Sequence, residues 1–448
     1  LVTPLLKKPN LDLIFKNFRP VSNLEFVGKL LEKAVASQLT TYLTENNLYE
    51  EMQSAYRQHH STETALIRVH NDFLMAMDKQ QCVLLVLLDL SAAFDTVDHH
   101  ILIDRLENWF GITGTVLEWI KSYLQNRTQF VSINGVKSAA KNLPWGVPQG
   151  SVLGPILFTL YTTPLGEIAR KHNLDIEFYA DDSQLYICFK SGSYEVEMSS
   201  MEKMQNCIND IRPWLAANRL KGNDDKTEAL ILGTQQQLKK LVVDSIDVGD
   251  SRIEFVRKAR NLGFILDSNL SMSDHISKLT SNAFFQLKQI KHIRKYLSQE
   301  ATESLVHAFV TSRLDYCNSL FHGLPKNQLT KLQSVQNAAA RIVTVSRKFC
   351  HITPVMKGLH WLPIDSRIEF KILLTVYKCL HGIAPLYLSS LISYRNTGRS
   401  LRSDNKFLEV PMTKLVFTGK RAFSTAAPSL WNRLPYNIKA APSVDIFK

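Results

Sequence analysis

The sequence predicts an α+β fold, and three observations carry that prediction. Short apolar runs of strand length, Leu84 to Leu88, Leu185 to Phe189 and Ala229 to Leu232, alternate with longer stretches of helical periodicity. The first run ends in Asp89. A second strand-like stretch, Asp175 to Asp182, ends in two adjacent carboxylates before a strand resumes at Leu185, the pattern of a β-hairpin with acids at its tip. From Asp274 onward the chain reads as helical and basic. If the strands lie side by side, Asp89 converges with Asp181 and Asp182 at one sheet edge. Three clustered carboxylates repel, so such a site needs divalent cations, and hard oxygen ligands suit Mg²⁺ or Mn²⁺. Two such ions about 3.5–4 Å apart form the standard clamp for an in-line phosphoryl displacement. A lone Asp-Asp pair is more often a solvated turn; what shifts the balance is the order of the stretches around it.

The chain has 448 residues, enough for two or three domains. Its 45% apolar and 21% charged content is ordinary for a globular protein, and no stretch has the length and purity of a membrane span. The six cysteines form no C-x-x-C pair, which favours a reduced intracellular setting over a disulfide framework. Cys350-His351 with His360 lacks the second cysteine pair a zinc site requires. The chain opens on Leu1 without a signal peptide or an initiating Met, and is expected to be a piece of something longer. Charge is uneven. Residues 1–267 hold 28 Lys+Arg and 32 Asp+Glu, whereas residues 268–448 hold 25 and 9, so the net +12 comes from the C-terminal part. Such a balance suits a polyanion, most simply nucleic acid, or a solubilising surface.

In chain order, three prolines make the first twenty residues extended, and Arg19 precedes a helix that Ser22 or Asn23 can cap, with Leu24, Val27, Leu30, Leu31, Ala34 and Val35 as its buried face. Ser61 with Thr64 opens a second helix to about Met77, and Arg57-Gln58-His59-His60 in the loop before it could meet phosphate. Small residues after Asp89 allow a tight turn, which places Phe94 one turn on; Asp95 and Asp98 read as caps or salt-bridge partners. Residues 101–125 are helical, broken at Gly111 and Gly114. Gln129 to Gly135 alternates and ends in Asn-Gly, a hairpin signal. The stretch Trp145 to Pro155, rich in Gly and Pro, shapes a loop for close approach to a flat or phosphorylated ligand, and an apolar helix follows. Residues 194–218 form an amphipathic helix on Met201, Met204, Cys207, Ile208, Ile211 and Leu215. A polar turn at 224–228 leads into the strand at 229–232, and Leu262 to Asp267 is another. Later helices cover Ile276 to Leu297, with Phe284 and Ile293 on the apolar face, then about 300–320, 328–347 and 364–381. Periodicity assigns nothing over the last sixty residues.

These stretches, in this order, resemble the reverse transcriptase of non-LTR retrotransposons (LINE class, jockey- and chicken-repeat-like). FRPVSNL with KLLEK and QSAYRQHHSTETAL look like the fingers motifs, LLDLSAAFDTVDH like the first metal-binding motif, and WGVPQGSVLGPILF like the nucleotide and template loop. FYADD is similar to the second catalytic motif, NDDKTEALILG to the lysine motif, and ARNLGFILD to the primer-gripping strands. A lone YADD is weak, but seven motifs in order are specific. Gly222 departs from the family, which usually has a bulkier apolar residue there, and the stretch is expected to be a fragment lacking the family's upstream endonuclease domain.

The resemblance implies a right-hand polymerase: fingers and palm over 1–267, a helical thumb-like region over 268–397, and a basic extension over 398–448. It implies that Asp89 and Asp181 bridge two Mg²⁺ ions, with Mn²⁺ as substitute, and that Asp182 completes the triad. Phe94 would exclude a ribose 2′-OH. Gln149 and Gly150 would contact the incoming nucleotide, Arg19 and Arg57 its triphosphate, and Lys226 the leaving pyrophosphate, as a proton donor. The implied partners are an RNA template, a DNA primer and dNTPs, with no membrane, and a nuclear and cytoplasmic location. One alternative stays open, a decayed or domesticated copy that only binds nucleic acid; a maturase-like intron protein would share the palm, but the WGVPQGSVLGP and SAAFDTVDH stretches and the basic C-terminal helices point away from it.

Overall fold

The computed structural model describes residues 1–8, 10–91, 93–249, 251–395 and 407–448. Its centre is a four-stranded antiparallel sheet of β3 (Cys82–Leu88), β4 (Asp175–Tyr179), β5 (Asp182–Phe189) and β6 (Glu228–Leu232), in the order β6-β3-β5-β4. The apolar run of β3 is continuous because both sheet faces are covered. Side chains alternate along a strand, so Val83 and Leu85 enter one core while Cys82, Leu84 and Val86 enter the other. In β6, Leu230 and Leu232 likewise part from Ala229 and Ile231.

One face carries α3 (His99–Asn108), α4 (Gly114–Leu124), α5 (Leu153–Thr162), α6 (Pro164–Lys171) and α7 (Tyr194–Ala217). All six apolar positions read from the periodicity of α7 are buried. The other face carries α2 (Thr62–Asp78), which starts in a Ser61–Thr64 capping box, together with the C-terminal helices α8 (Ser273–Ile293), α9 (Gln299–Val306), α10 (Lys326–Thr344), α11 (Ile364–Leu380) and α12 (Phe423–Arg433). Ser298 caps α9, as expected. On α8 the expected face is corrected at Phe284 and Ile293, both exposed.

The C-terminal segment that periodicity left unassigned folds back onto α2. Buried Asp78 accepts from the backbone N–H of Lys414 and Leu415 at 3.0 and 2.7 Å, and Asn71 accepts from Ser424 N–H at 2.9 Å. Ser54 Oγ lies 2.7 Å from the hydroxyl of Tyr387 and donates to Glu177 Oε1 at 2.6 Å. Residues on both sides of position 267 therefore share one apolar core. The expected boundary at 397–398 lies outside the described residues.

The N-terminal region corrects two expectations. β1 (Val2–Leu6) pairs with β2 (Phe18–Ser22), and neither Ser22 nor Asn23 caps α1 (Phe26–Glu45): Ser22 N–H donates to Gln149 O, and Asn23 is held by Leu1 O and Thr3. The buried face of α1 is Glu32, Ala36, Leu39 and Leu43, while Val27, Leu30 and Leu31 stand exposed. Glu32 explains the rotation. Its carboxylate accepts from the backbone N–H of Val152 and Leu153 at 2.6 and 3.1 Å, so it satisfies the open donors at the start of α5.

Candidate active site

The pairing of β5 with β3 decides where the acids go. Ser183 stands opposite Leu88, so the next position on each strand is Asp182 and Asp89. Tyr179 pairs with Asp182, which leaves Ala180-Asp181 as a two-residue turn at the hairpin tip. The hairpin motif and the apolar run thus deliver Asp89, Asp181 and Asp182 to one end of the sheet.

Their charges are felt mutually. Burial lifts the Asp181 carboxyl above its ordinary range, Asp89 adds to the lift, and Arg19 and Lys226 oppose it. Asp182 is pushed up to about 6, first by its crowded surroundings and then by Asp181 and Asp89. The part of that rise due to the neighbouring carboxylates is what positive charge relieves. Part of that charge comes from Lys226, whose ammonium sits 2.9 Å from Asp89 Oδ2, while Asn223 Nδ2 donates to the same oxygen at 3.1 Å. Among the described residues no group of three or more Asp, Glu, His or Cys side chains is placed to hold a metal ion as it stands. The donor set nonetheless fits a divalent cation: all are hard oxygens, they repel one another, and a side-chain cation stands in beside one of them.

Phe94, Gln149 and Gly150 form an adjoining group. Val147 N–H donates to Phe94 O at 2.8 Å and Gly146 N–H to Val97 O at 2.7 Å, which binds the Gly-Pro loop to the turn after Asp89. A Cβ on Gly146 would lie 2.7 Å from Asp95 O, and its φ is +83°, so glycine is required there. The Phe94 ring stacks on Phe158 at 4.6 Å. Asp98 caps α3, as the sequence suggested, whereas Asp95 instead accepts from Gln149 Nε2 at 2.9 Å. The exposed side chain of Arg19 lies close enough to Asp181 to lower its proton affinity.

Arg57 is tied to the backbone of the loop before α2. Its guanidinium donates to the backbone carbonyls of Glu50 and Gln53 at 2.8 and 3.1 Å and lies over the Tyr49 ring. Both bonds are made by Nη1, so this edge of the guanidinium is held by the loop. Asn223, Gln53 and Tyr56 also reach the acids or the turn that bears them, without any periodic signal in the sequence. Gln53 Oε1 accepts from the backbone N–H of Ala180, and the hydroxyl of Tyr56 feels the charge of Asp181. All three stand within motifs already quoted, but periodicity is blind to a polar side chain that reaches across the fold.

Carboxylates are thus collected at the end of an antiparallel sheet, next to a Gly-Pro loop. Residues 6–266, more than half of the chain, match the family described as reverse transcriptase (RNA-dependent DNA polymerase). The chain belongs to that family, and its fold is the right-hand polymerase fold. Among relatives, it is 26% identical over 368 residues to the probable RNA-directed DNA polymerase from transposon BS of Drosophila melanogaster, an alignment covering 79% of this chain and 39% of that protein. It is 25% identical over 362 residues to the RNA-directed DNA polymerase from mobile element jockey of the same organism, covering 79% and 38%. The chain thus spans about two fifths of the length of the curated relatives it matches. Among solved structures, it is similar to apo telomerase from Candida tropicalis with a TM-score of 0.41 and 13% identity, over 79% of this chain and 54% of that one. It is also similar to the RNA-dependent RNA polymerase of a human picorbirnavirus, with a TM-score of 0.40 and 12% identity, over 80% and 62%. No helix among the described residues is long and apolar enough to cross a membrane.

Proposed function

We propose that this chain is the polymerising part of a non-LTR retrotransposon protein and extends a DNA primer on an RNA template. The observation that carries the reading is the convergence of Asp89, Asp181 and Asp182, inside a family match, around a place already taken by a side-chain cation. Asp89, Asp181 and Asp182 would hold two Mg²⁺ ions, or Mn²⁺ in their place. Bound there, such ions neutralise the attacking and leaving oxygens of an in-line displacement. The primer 3′-oxygen then forms a bond to the α-phosphorus as the bond to pyrophosphate breaks. Lys226 holds a proton near that leaving group, and Arg19 supplies a fixed positive charge for the triphosphate. Phe94, braced by Phe158, presents a rigid ring that leaves no room for a ribose 2′-OH. Gly150 lets the loop backbone approach the nucleotide: its φ is +106°, and an added Cβ would meet Ser22 O at 3.0 Å. Fingers and palm over 1–267, a thumb over 268–397 and an extension over 398–448 remain the proposed division, with the thumb seated on the palm.

The test is extension of a labelled DNA primer on an RNA template. The chain should incorporate dNTPs with Mg²⁺ and discriminate against NTPs, and Phe94→Ala should relax that discrimination. A folded chain that binds template–primer without extending it favours the decayed, binding-only alternative. Binding should also weaken steeply with salt, because the basic residues of 268–448 displace counterions.

A further inference from the structure

We infer that Gln53 is a positioning residue for Asp181, holding the turn on which that carboxylate stands. The inference rests on the proposed reading of Asp181 as a metal ligand. The residues around Gln53 add a short parallel extension to the free edge of β4. Phe178 N–H donates to Met52 O, and Ser54 N–H donates to Phe178 O, both at 2.9 Å. This fixes the backbone of Gln53 beside the catalytic hairpin. Its side chain is buried, with 3% of its surface exposed, and its Oε1 accepts twice: from Ala55 N–H at 2.9 Å and from Ala180 N–H at 3.1 Å.

Ala180 makes the second of these bonds matter. It is the first residue of the two-residue turn, and its φ is +59°. A turn of this kind asks for glycine at that position, because a Cβ is crowded in the left-handed region. Ala180 is also buried, so its N–H has little access to water. The Gln53 amide satisfies that N–H only in the strained conformation, and Asp181 is the next residue along. One buried side chain thus links a fingers motif to the orientation of a carboxylate at the hairpin tip.

Replacing Gln53 with methionine keeps the length of the side chain and removes the acceptor. Gln53→Met should lower kcat about tenfold to a hundredfold, the scale expected for a misplaced catalytic group. It should raise the Mg²⁺ concentration for half-maximal rate and leave the Kd for template–primer unchanged. Adding Ala180→Gly should restore most of the rate, because glycine adopts the turn unaided. The role is overturned if Gln53→Met keeps the parent kcat and Mg²⁺ dependence while Asp181→Asn is inactive. It is equally overturned if Gln53→Met melts early and Ala180→Gly returns no rate, since Gln53 would then be purely structural. An active Asp181→Asn would instead remove the reading on which the inference rests.

Discussion

Lys226 and Asp89, 137 residues apart, meet at 2.9 Å, and each is partly exposed. The pair joins the turn before β6 to the end of β3. It places a mobile cation on the carboxylate that a divalent ion would need.

Competition follows from this pairing. A half-exposed ion pair contributes at most ~1 kcal/mol. Lys226→Met should therefore tighten Mg²⁺ binding by up to about fivefold, measured by calorimetry without substrate, while the rate of nucleotide addition falls. Unchanged Mg²⁺ affinity would mean that the ion pair does not compete.

The acids of the palm also set a pH dependence of stability. Burial holds the Glu177 carboxyl up at about 8, despite the hydrogen bond from Ser54. The folded chain thus binds this proton more tightly than the unfolded one. The stabilisation is complete below about 4.5 and is lost as pH rises through about 8. Glu177→Gln should flatten that slope in urea-denaturation midpoints and leave the variant more stable than the parent at the alkaline end.

Gly222, where the family usually has a bulkier apolar residue, lines a cavity of ≈ 30 Å³ next to Asp89. A Cβ there would meet only Leu215 and Asp224, at 3.8 and 3.9 Å. Gly222→Ala should stabilise the chain by about 0.4–1 kcal/mol by restricting the unfolded state, seen as a higher Tm. A lower Tm would show that the turn needs glycine.

Arg57 is proposed to serve the scaffold through its bonds to the carbonyls of Glu50 and Gln53. Arg57→Leu strands backbone carbonyls and should cost about 1.5–3 kcal/mol of stability. At a temperature where the variant stays folded, the KM for dNTP should not move. A raised KM with an unchanged Tm would return Arg57 to the triphosphate.

The sequence made the palm legible where one strong periodicity acted alone. The run before Asp89, the 175–189 hairpin and the buried stripe of α7 all stand where patterning put them. α1 went wrong because it carries apolar residues all round, and Glu32 chose its face by capping α5. Arg57 and Gln53 show the same limit at the site. Both are polar residues in a fingers motif, and only the fold shows that one binds backbone carbonyls while the other holds Ala180. The C-terminal segment was unreadable because its anchors, Asp78 and Asn71, lie more than 300 residues away.

Asp181 is proposed to belong to a metal-dependent polymerase site. Single-turnover extension of a DNA primer on an RNA template, with Mg²⁺, by the parent and by Asp181→Asn tests it most directly. The parent should add dNTPs, and the variant should bind template–primer equally well yet add none. Equal extension by both, or none by a folded parent that binds, would contradict it.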